Sequence, residues 1–309
     1  LSMGDRVGLW SPNYAEWTLL QFATAEIGVI LVNVNPSYRT HELAYALNHS
    51  ECRWIVAAPK FKTSDYRSMV ASVRDECAQL ERAIFFWDDD WNQLCAGSTT
   101  VSDADLHACR AGLACDDPIN IQYTSGTTGF PKGATLTHKN ILNNGHNVTS
   151  GQNITHEDRL CIPVPFYHCF GMVMGNLGCT STGATMVIPG DAFDPVAVLT
   201  AVEKERCTAL YGVPTMFIAE LALPNFDDSE PSSLRSGVMA GSLRPEDAMT
   251  PCVVIIIIVN VSTCAAMNET SFVISHMLIV FTVYYPPLQL RRPRPVVHRA
   301  IADTLHRQT

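Results

Sequence analysis

Apolar positions along this chain alternate between two spacings. Trp17, Leu20, Ala23 and Ile27 recur at three- and four-residue intervals, which predicts an amphipathic helix over 13–27 opened by Pro12 and Asn13. The β-branched run from Val29 to Val34, closed by Asn35-Pro36, predicts a buried strand. Thr40 is the expected cap of a helix over 41–49 that turns Leu43, Ala46 and Leu47 inward, and Arg53 to Ala58 predicts a further strand. A second series follows, with strands at 160–162 and 185–188, a helix at 195–206, a strand at 208–211 and a helix at 214–223. Strand–helix–strand alternation of this kind predicts an α/β fold with parallel sheets. Residues 61–116 are less regular.

The pattern changes after Ala248. Pro251 to Tyr285 contains VVIIIIV and FVISHMLIVFTVYY, interrupted by Asn260, Asn268, Glu269 and His276. A membrane helix needs about 20 continuous apolar residues. The uncharged β-branched runs therefore predict buried or aggregation-prone strand, with a membrane anchor as the alternative reading of the tail. Residues 288–309 then carry five arginines, one aspartate and no lysine. We expect a domain over 1–248 and a separate tail over 249–309.

A hydrophobic content of 47% with 17% charged residues describes a globular chain, and a net charge of −9 argues against nucleic acid as a partner. Eleven cysteines without a Cys-x-x-Cys pair predict reduced thiols. The row Asp88, Asp89, Asp90 lies in FFWDDDW. Consecutive carboxylates do not converge on one centre, so a solvated turn is expected and no metal-ligating residue is assigned.

The richest chemistry lies in Thr124 to Gly133, TSGTTGFPKG. Glycines let backbone N–H groups approach anionic oxygens, hydroxyls add neutral donors, and Lys132 adds a mobile positive charge. Apolar strand-like residues precede the run and a helix-like stretch from Lys139 to Asn144 follows it. The run is not a Walker A loop, since Gly129 is followed by Phe130, Pro131 and Lys132.

This run resembles, at every position, the phosphate loop of the ATP-dependent adenylate-forming enzymes. That superfamily holds acyl-CoA synthetases, 4-coumarate ligases, luciferases and peptide-synthetase adenylation domains. The wider segment from Asp117 to Asn144 resembles their mitochondrial medium-chain acyl-CoA ligase branch. GDRVGLWSPNYAEW from Gly4, the stretch from Gly28 to Ala57, PVPFYHCFGM from Pro163, LYGVPTMF from Leu210 and GVMAGS from Gly237 resemble further family segments in order. The resemblance implies the N-terminal domain of the family's fold, with stacked parallel sheets, flanking helices and no C-terminal lid domain within these residues. It further implies that the chain opens inside a family element, with any targeting segment upstream.

The activity implied is ATP-dependent conversion of a fatty acid to acyl-adenylate and pyrophosphate, then to acyl-CoA and AMP. ATP, Mg²⁺ and coenzyme A are the implied cofactors, small molecules the implied partners and the mitochondrion the implied compartment. Thr124, Ser125, Gly126, Thr127, Thr128, Gly129, Phe130, Pro131 and Lys132 would hold the phosphates, with Thr127, Thr128 and Lys132 acting on the departing pyrophosphate. His168 would meet the carboxylate and α-phosphate. Gly212, Thr215, Met216 and Phe217 would line the acyl tunnel, and Ala240, Gly241 and Ser242 would meet the adenine. Without the resemblance these last seven read as core or as a turn at a strand end.

Four family features have no counterpart, one of them a downstream arginine that anchors the hinge. The Tyr-Gly-x-Thr-Glu motif that supplies a metal-ligating glutamate is missing, as is the Thr-Gly-Asp motif that binds ribose. No lysine follows Lys204, although the family uses one from its C-terminal domain during adenylation. Losing that charge is worth about 10²–10³-fold in rate, by analogy with a lost oxyanion donor. The chain is therefore expected to be catalytically incomplete. A non-catalytic phosphate-binding or interaction module and a 4-coumarate-type ligase are the alternatives.

Overall fold

The computed structural model describes residues 1–124, 131–224, 226, 233–241 and 281–282. It divides into two compact units, residues 1–147 with 165–181 and residues 148–164 with 182–309.

The first unit begins with β1 (Arg6–Trp10), α1 (Ala15–Glu26), β2 (Ile30–Val34), α2 (Thr40–His49) and β3 (Trp54–Ala57). The small hairpin β4 (Lys60–Phe61) and β5 (Ser64–Asp65) leads into α3 (Tyr66–Val73), β6 (Arg82–Phe85), α4 (Asp89–Ala96) and α5 (Asp103–Ala111). Next come β7 (Pro118–Thr124), β8 (Lys132–Thr137) and α6 (His138–Gly151), whose residues from 148 onward belong to the second unit. Six strands form one sheet in the order β6-β3-β1-β2-β7-β8. All neighbours pair in parallel except β8, which returns antiparallel to β7. β2 is buried at every position, as a parallel strand covered on both faces must be, and this accounts for its apolar run, broken only by Asn33. Beside the sheet, Trp10 stacks on Tyr66 with ring centroids 3.6 Å apart, and the Tyr66 hydroxyl donates to Pro36 O at 2.5 Å.

Several expectations need correcting. α1 starts at Ala15, and Asn13 does not cap it. The Asn13 side chain instead accepts the Phe166 N–H at 2.8 Å. The buried face of α1 is Trp17, Thr18, Leu20, Gln21 and Thr24, while Ala23 is exposed and Ile27 half-buried. The face rotates because Asn176 donates to Thr18 and Gln21, which gives these polar side chains a buried partner. Thr40 is the first residue of α2, not its cap, and the Arg39 N–H is taken by Glu42 at 3.1 Å. The irregular stretch 61–116 holds three helices of eight or more residues and the edge strand β6. Asp88 pairs bidentately with Arg67, while Asp89 and Asp90 open α4, where carboxylates favour the positive end of the helix dipole. The acidic row is therefore a helix start.

A π-helical stretch, Phe170–Leu177, runs into α7 (Gly178–Thr182). The second unit holds β9 (Arg159–Cys161), β10 (Thr185–Val187), α8 (Pro195–Lys204), β11 (Ala209–Gly212), α9 (Pro214–Leu221), β12 (Ser236–Met239) and β13 (Phe281–Thr282). Its sheet runs β10-β9-β11-β12-β13, parallel except for β13. Val187, Val198, Val202, Leu210 and Leu234 form its core with Cys161 and Cys207. Asp158, only 3% exposed, is held by Arg235, by Thr208 at 2.6 Å and by the Thr155 N–H at 2.8 Å.

Among the described residues no cysteine is in a disulfide, and no helix is long and apolar enough to cross a membrane. Apart from Phe281 and Thr282, the tail expectations lie outside the described residues.

Candidate functional site

In the first unit, β7 ends at Thr124 and β8 begins at Lys132, and these two residues are register partners. Thr124 Oγ1 donates to Lys132 O at 3.4 Å. The hairpin thus closes the predicted phosphate loop at both ends. It does so where a parallel strand delivers its C-terminus, the usual ligand edge of an α/β sheet. Ser125, Gly126, Thr127, Thr128, Gly129 and Phe130 lie outside the described residues. Lys132 is exposed at the loop exit.

Helix α2 grips both stems of this loop. The Tyr45 hydroxyl donates to Pro131 O at 3.0 Å, and the Tyr123 hydroxyl donates to Ala46 O at 3.1 Å. A phenol has one proton, so the 3.0 Å contact between His49 Nδ1 and the Tyr123 hydroxyl is a donation from histidine. Burial pushes the Tyr123 phenol up to about 12, which keeps it a donor at any physiological pH.

His168 sits in a turn held against β2 and β7. Asn33 Nδ2 and Gln122 Nε2 both donate to Tyr167 O, at 3.0 and 2.6 Å. His168 N donates to Pro165 O at 3.2 Å, and His168 Nδ1 accepts from Phe170 N at 3.1 Å. The residue reaches the surface, yet desolvation by the surrounding protein holds its pKa below the ordinary histidine value. Gly171 has a steric cause, since a Cβ there would lie 2.4 Å from Pro165 O. The glycine three residues after His168 is what lets the turn close.

In the second unit, the predicted acyl and adenine segments come together. β11 pairs with β12 so that Gly212 faces Met239, and Ala240 N donates to Gly212 O at 3.2 Å. Gly241 adopts φ +102°, open to glycine and strained for other residues. Phe217 lies over Gly212, where a Cβ would meet its ring at 2.8 Å, and it packs against the core of this unit. Met216 is half-buried and Thr215 exposed. Ser242 lies outside the described residues. Among the described residues no three His, Cys, Asp or Glu side chains converge to hold a metal.

The model of the AMP-binding enzyme family matches residues 1–304. The chain belongs to the AMP-binding enzyme family. Within this family it is 44% identical over 272 residues to Bacillus subtilis YngI, named as an acyl-CoA synthetase, covering 81% of this chain and 49% of YngI. It is 40% identical over 272 residues to the zebrafish (Danio rerio) mitochondrial medium-chain acyl-CoA ligase ACSF2, covering 81% of this chain and 44% of that protein. The chain spans about half the length of the curated relatives it matches. Among solved structures it resembles the N-terminal domain of FACL13 from Mycobacterium tuberculosis, with a TM-score of 0.67 and 22% identity, over 81% of this chain and 59% of that one. It also resembles the anthranilate-CoA ligase AuaEII, with a TM-score of 0.67 and 24% identity, over 80% of this chain and 47% of that one. The fold of this AMP-binding chain is thus the N-terminal fold of the adenylate-forming ligases.

Tyr45, His49, Asn33 and Gln122 were not legible as site residues. The available signal was a buried amide within a strand, Asn33 in ILVNV and Gln122 in INIQYT. A buried polar side chain needs a partner, and for both amides the partner is the turn that carries His168.

Proposed function

We propose that this chain is the nucleotide- and acid-binding portion of an ATP-dependent fatty acid–CoA ligase acting on a medium-chain acid. The observation that carries the reading is the hydroxyl- and glycine-rich run closed by the Thr124–Lys132 pairing, in a chain of the AMP-binding family. In the reaction, a carboxylate oxygen attacks the α-phosphorus of ATP and the bond to pyrophosphate breaks. Coenzyme A thiolate then attacks the acyl carbon and AMP leaves. No side-chain nucleophile is required, so the protein works by positioning and charge neutralisation.

In the first unit, Thr124 through Lys132 would take the β- and γ-phosphates, with Thr127, Thr128 and Lys132 stabilising the departing pyrophosphate. His168, neutral at pH 7 because its pKa is held low, would donate a hydrogen bond to an oxygen of the carboxylate or α-phosphate. In the second unit, Gly212, Thr215, Met216 and Phe217 would meet the acyl chain, and Ala240, Gly241 and Ser242 the adenine. Magnesium would supply neutralisation of the phosphate oxygens when bound, and no protein ligand for it is assigned. Residues 1–248 would form the family domain and 249–309 a distinct tail. A mitochondrial site of action rests on the names of the vertebrate relatives.

No lysine follows Lys204, so the 309-residue polypeptide alone should bind ATP yet form adenylate slowly, by about 10²–10³-fold relative to a complete ligase. Equilibrium ATP binding and ATP–pyrophosphate exchange with octanoate test this, beside Lys132→Ala. The reading expects ATP binding that Lys132→Ala weakens about tenfold or more. A folded sample that binds ATP no better than Lys132→Ala would refute it. Fast exchange would refute the claim of incompleteness.

A further inference from the structure

The buried amides of the first unit converge on a single carbonyl. Asn33 is 2% exposed and Gln122 8%, on neighbouring strands near their C-terminal ends. Their donors meet at Tyr167 O, at 3.0 and 2.6 Å, and two donors fill both lone pairs of that oxygen. The orientation of Asn33 is itself fixed, because its Oδ1 accepts from Asn120 Nδ2 at 2.9 Å. Asn120 Nδ2 also donates to Leu31 O at 2.9 Å, so it is tied to the backbone of β2.

The Tyr167 carbonyl belongs to the peptide plane that ends in His168 N. That plane is pinned at both ends, by the amides at the oxygen and by His168 N to Pro165 O at 3.2 Å. One residue upstream, Asn13 holds Phe166 N at 2.8 Å. His168 therefore has little backbone freedom, and its ring folds over its own turn to accept the Phe170 N–H at Nδ1. A backbone N–H can only donate, so Nδ1 must be unprotonated. A neutral imidazole carries one proton, which then sits on Nε2. Among the described residues Nε2 makes no hydrogen bond, and the residue is exposed.

We propose that Asn33 and Gln122 are positioning residues for His168. By clamping the Tyr167 carbonyl they hold the imidazole as its Nε2–H tautomer, an outward hydrogen-bond donor to an anionic oxygen and not a proton acceptor. The identity of that oxygen as carboxylate or phosphate rests on the adenylate-forming reading. The tautomer and the clamp do not.

Long-range ¹H–¹⁵N correlation spectra of the histidine-labelled 309-residue protein at neutral pH test the clamp. The His168 signal is assigned by its loss in His168→Gln. The wild type should show one tautomer, protonated at Nε2. Gln122→Leu, and separately the isosteric Gln122→Met, should turn this into a mixture in samples that keep a cooperative melt. A proton on Nδ1 in the wild type, or an unchanged single tautomer in both folded variants, would overturn the proposal. For the donor role the probe is the non-hydrolysable adenylate analogue 5′-O-(octanoylsulfamoyl)adenosine. His168→Gln keeps an N–H donor and should bind it nearly as the wild type does, whereas His168→Phe should bind about tenfold more weakly. Equal loss in both variants would refute the donor role. A wild type that does not bind the analogue would remove the acyl-adenylate reading alone, since the ring-nitrogen spectra decide the clamp.

Discussion

Glu220 offers a quantitative test of packing in the second unit. It lies on α9, is 4% exposed, and its Oε1 has no partner among the described residues. Burial pushes its carboxyl from 4.5 up to about 8. Below about 4.5 the folded and unfolded states both hold the proton, and the group has no effect on the pH dependence of stability. Between 4.5 and 8 the unfolded chain releases the proton while the folded chain keeps it. Stability therefore falls as pH rises, by roughly 1.4 kcal/mol per unit, and levels off above 8. At pH 7 the accumulated loss is about 3 kcal/mol. Glu220→Gln has similar shape and no titration, so its stability should lack this slope. Its own buried amide adds a constant cost of about 1–3 kcal/mol that does not vary with pH. The assay is urea unfolding of both proteins at several pH values between 5 and 8. The stability of the variant minus that of the wild type should grow by about 4 kcal/mol across that range. Parallel profiles for the two proteins would show that Glu220 ionises freely and would refute the buried, unpaired assignment.

Two further substitutions probe the scaffold. Gly171→Ala puts a Cβ 2.4 Å from a backbone oxygen that has no flexible end to move, so it should cost about 2–4 kcal/mol in thermal or chemical unfolding, where a neutral effect would contradict the turn. Arg235→Ala should cost about 3–5 kcal/mol by stranding Asp158. Burial alone would raise the Asp158 pKa, but hydrogen bonds from Arg235 and Thr208 outweigh it and hold the carboxyl below 3.8. Its contribution in the wild type is thus present above about pH 4 and lost on acidification. In the variant the acid limb should flatten, and an unchanged acid limb would refute the pairing.

The sequence determined most of the elements. β2 was legible because a parallel strand buried on both faces demands a largely apolar run, and β9 to β11 with α8 and α9 followed from the same alternation. TSGTTGFPKG stands out because its glycines, hydroxyls and lysine are gathered in one contiguous run, of which the structure describes Thr124 and residues 131–133. Periodicity failed where polar groups are buried in partnership. It rotated α1 onto Ala23 and Ile27, since the Asn176 contacts that bury Thr18 and Gln21 span more than 150 residues. It missed β6 and the helices of 61–116, whose ends are fixed by caps and ion pairs such as Ser102 with Asp105 and Arg67 with Asp88. It left Asn33, Gln122, Tyr45 and Tyr123 as ordinary residues. Only the tertiary structure decided their roles, because a hydrogen bond between an amide on β2 or β7 and a carbonyl 134 or 45 residues away has no local pattern to announce it.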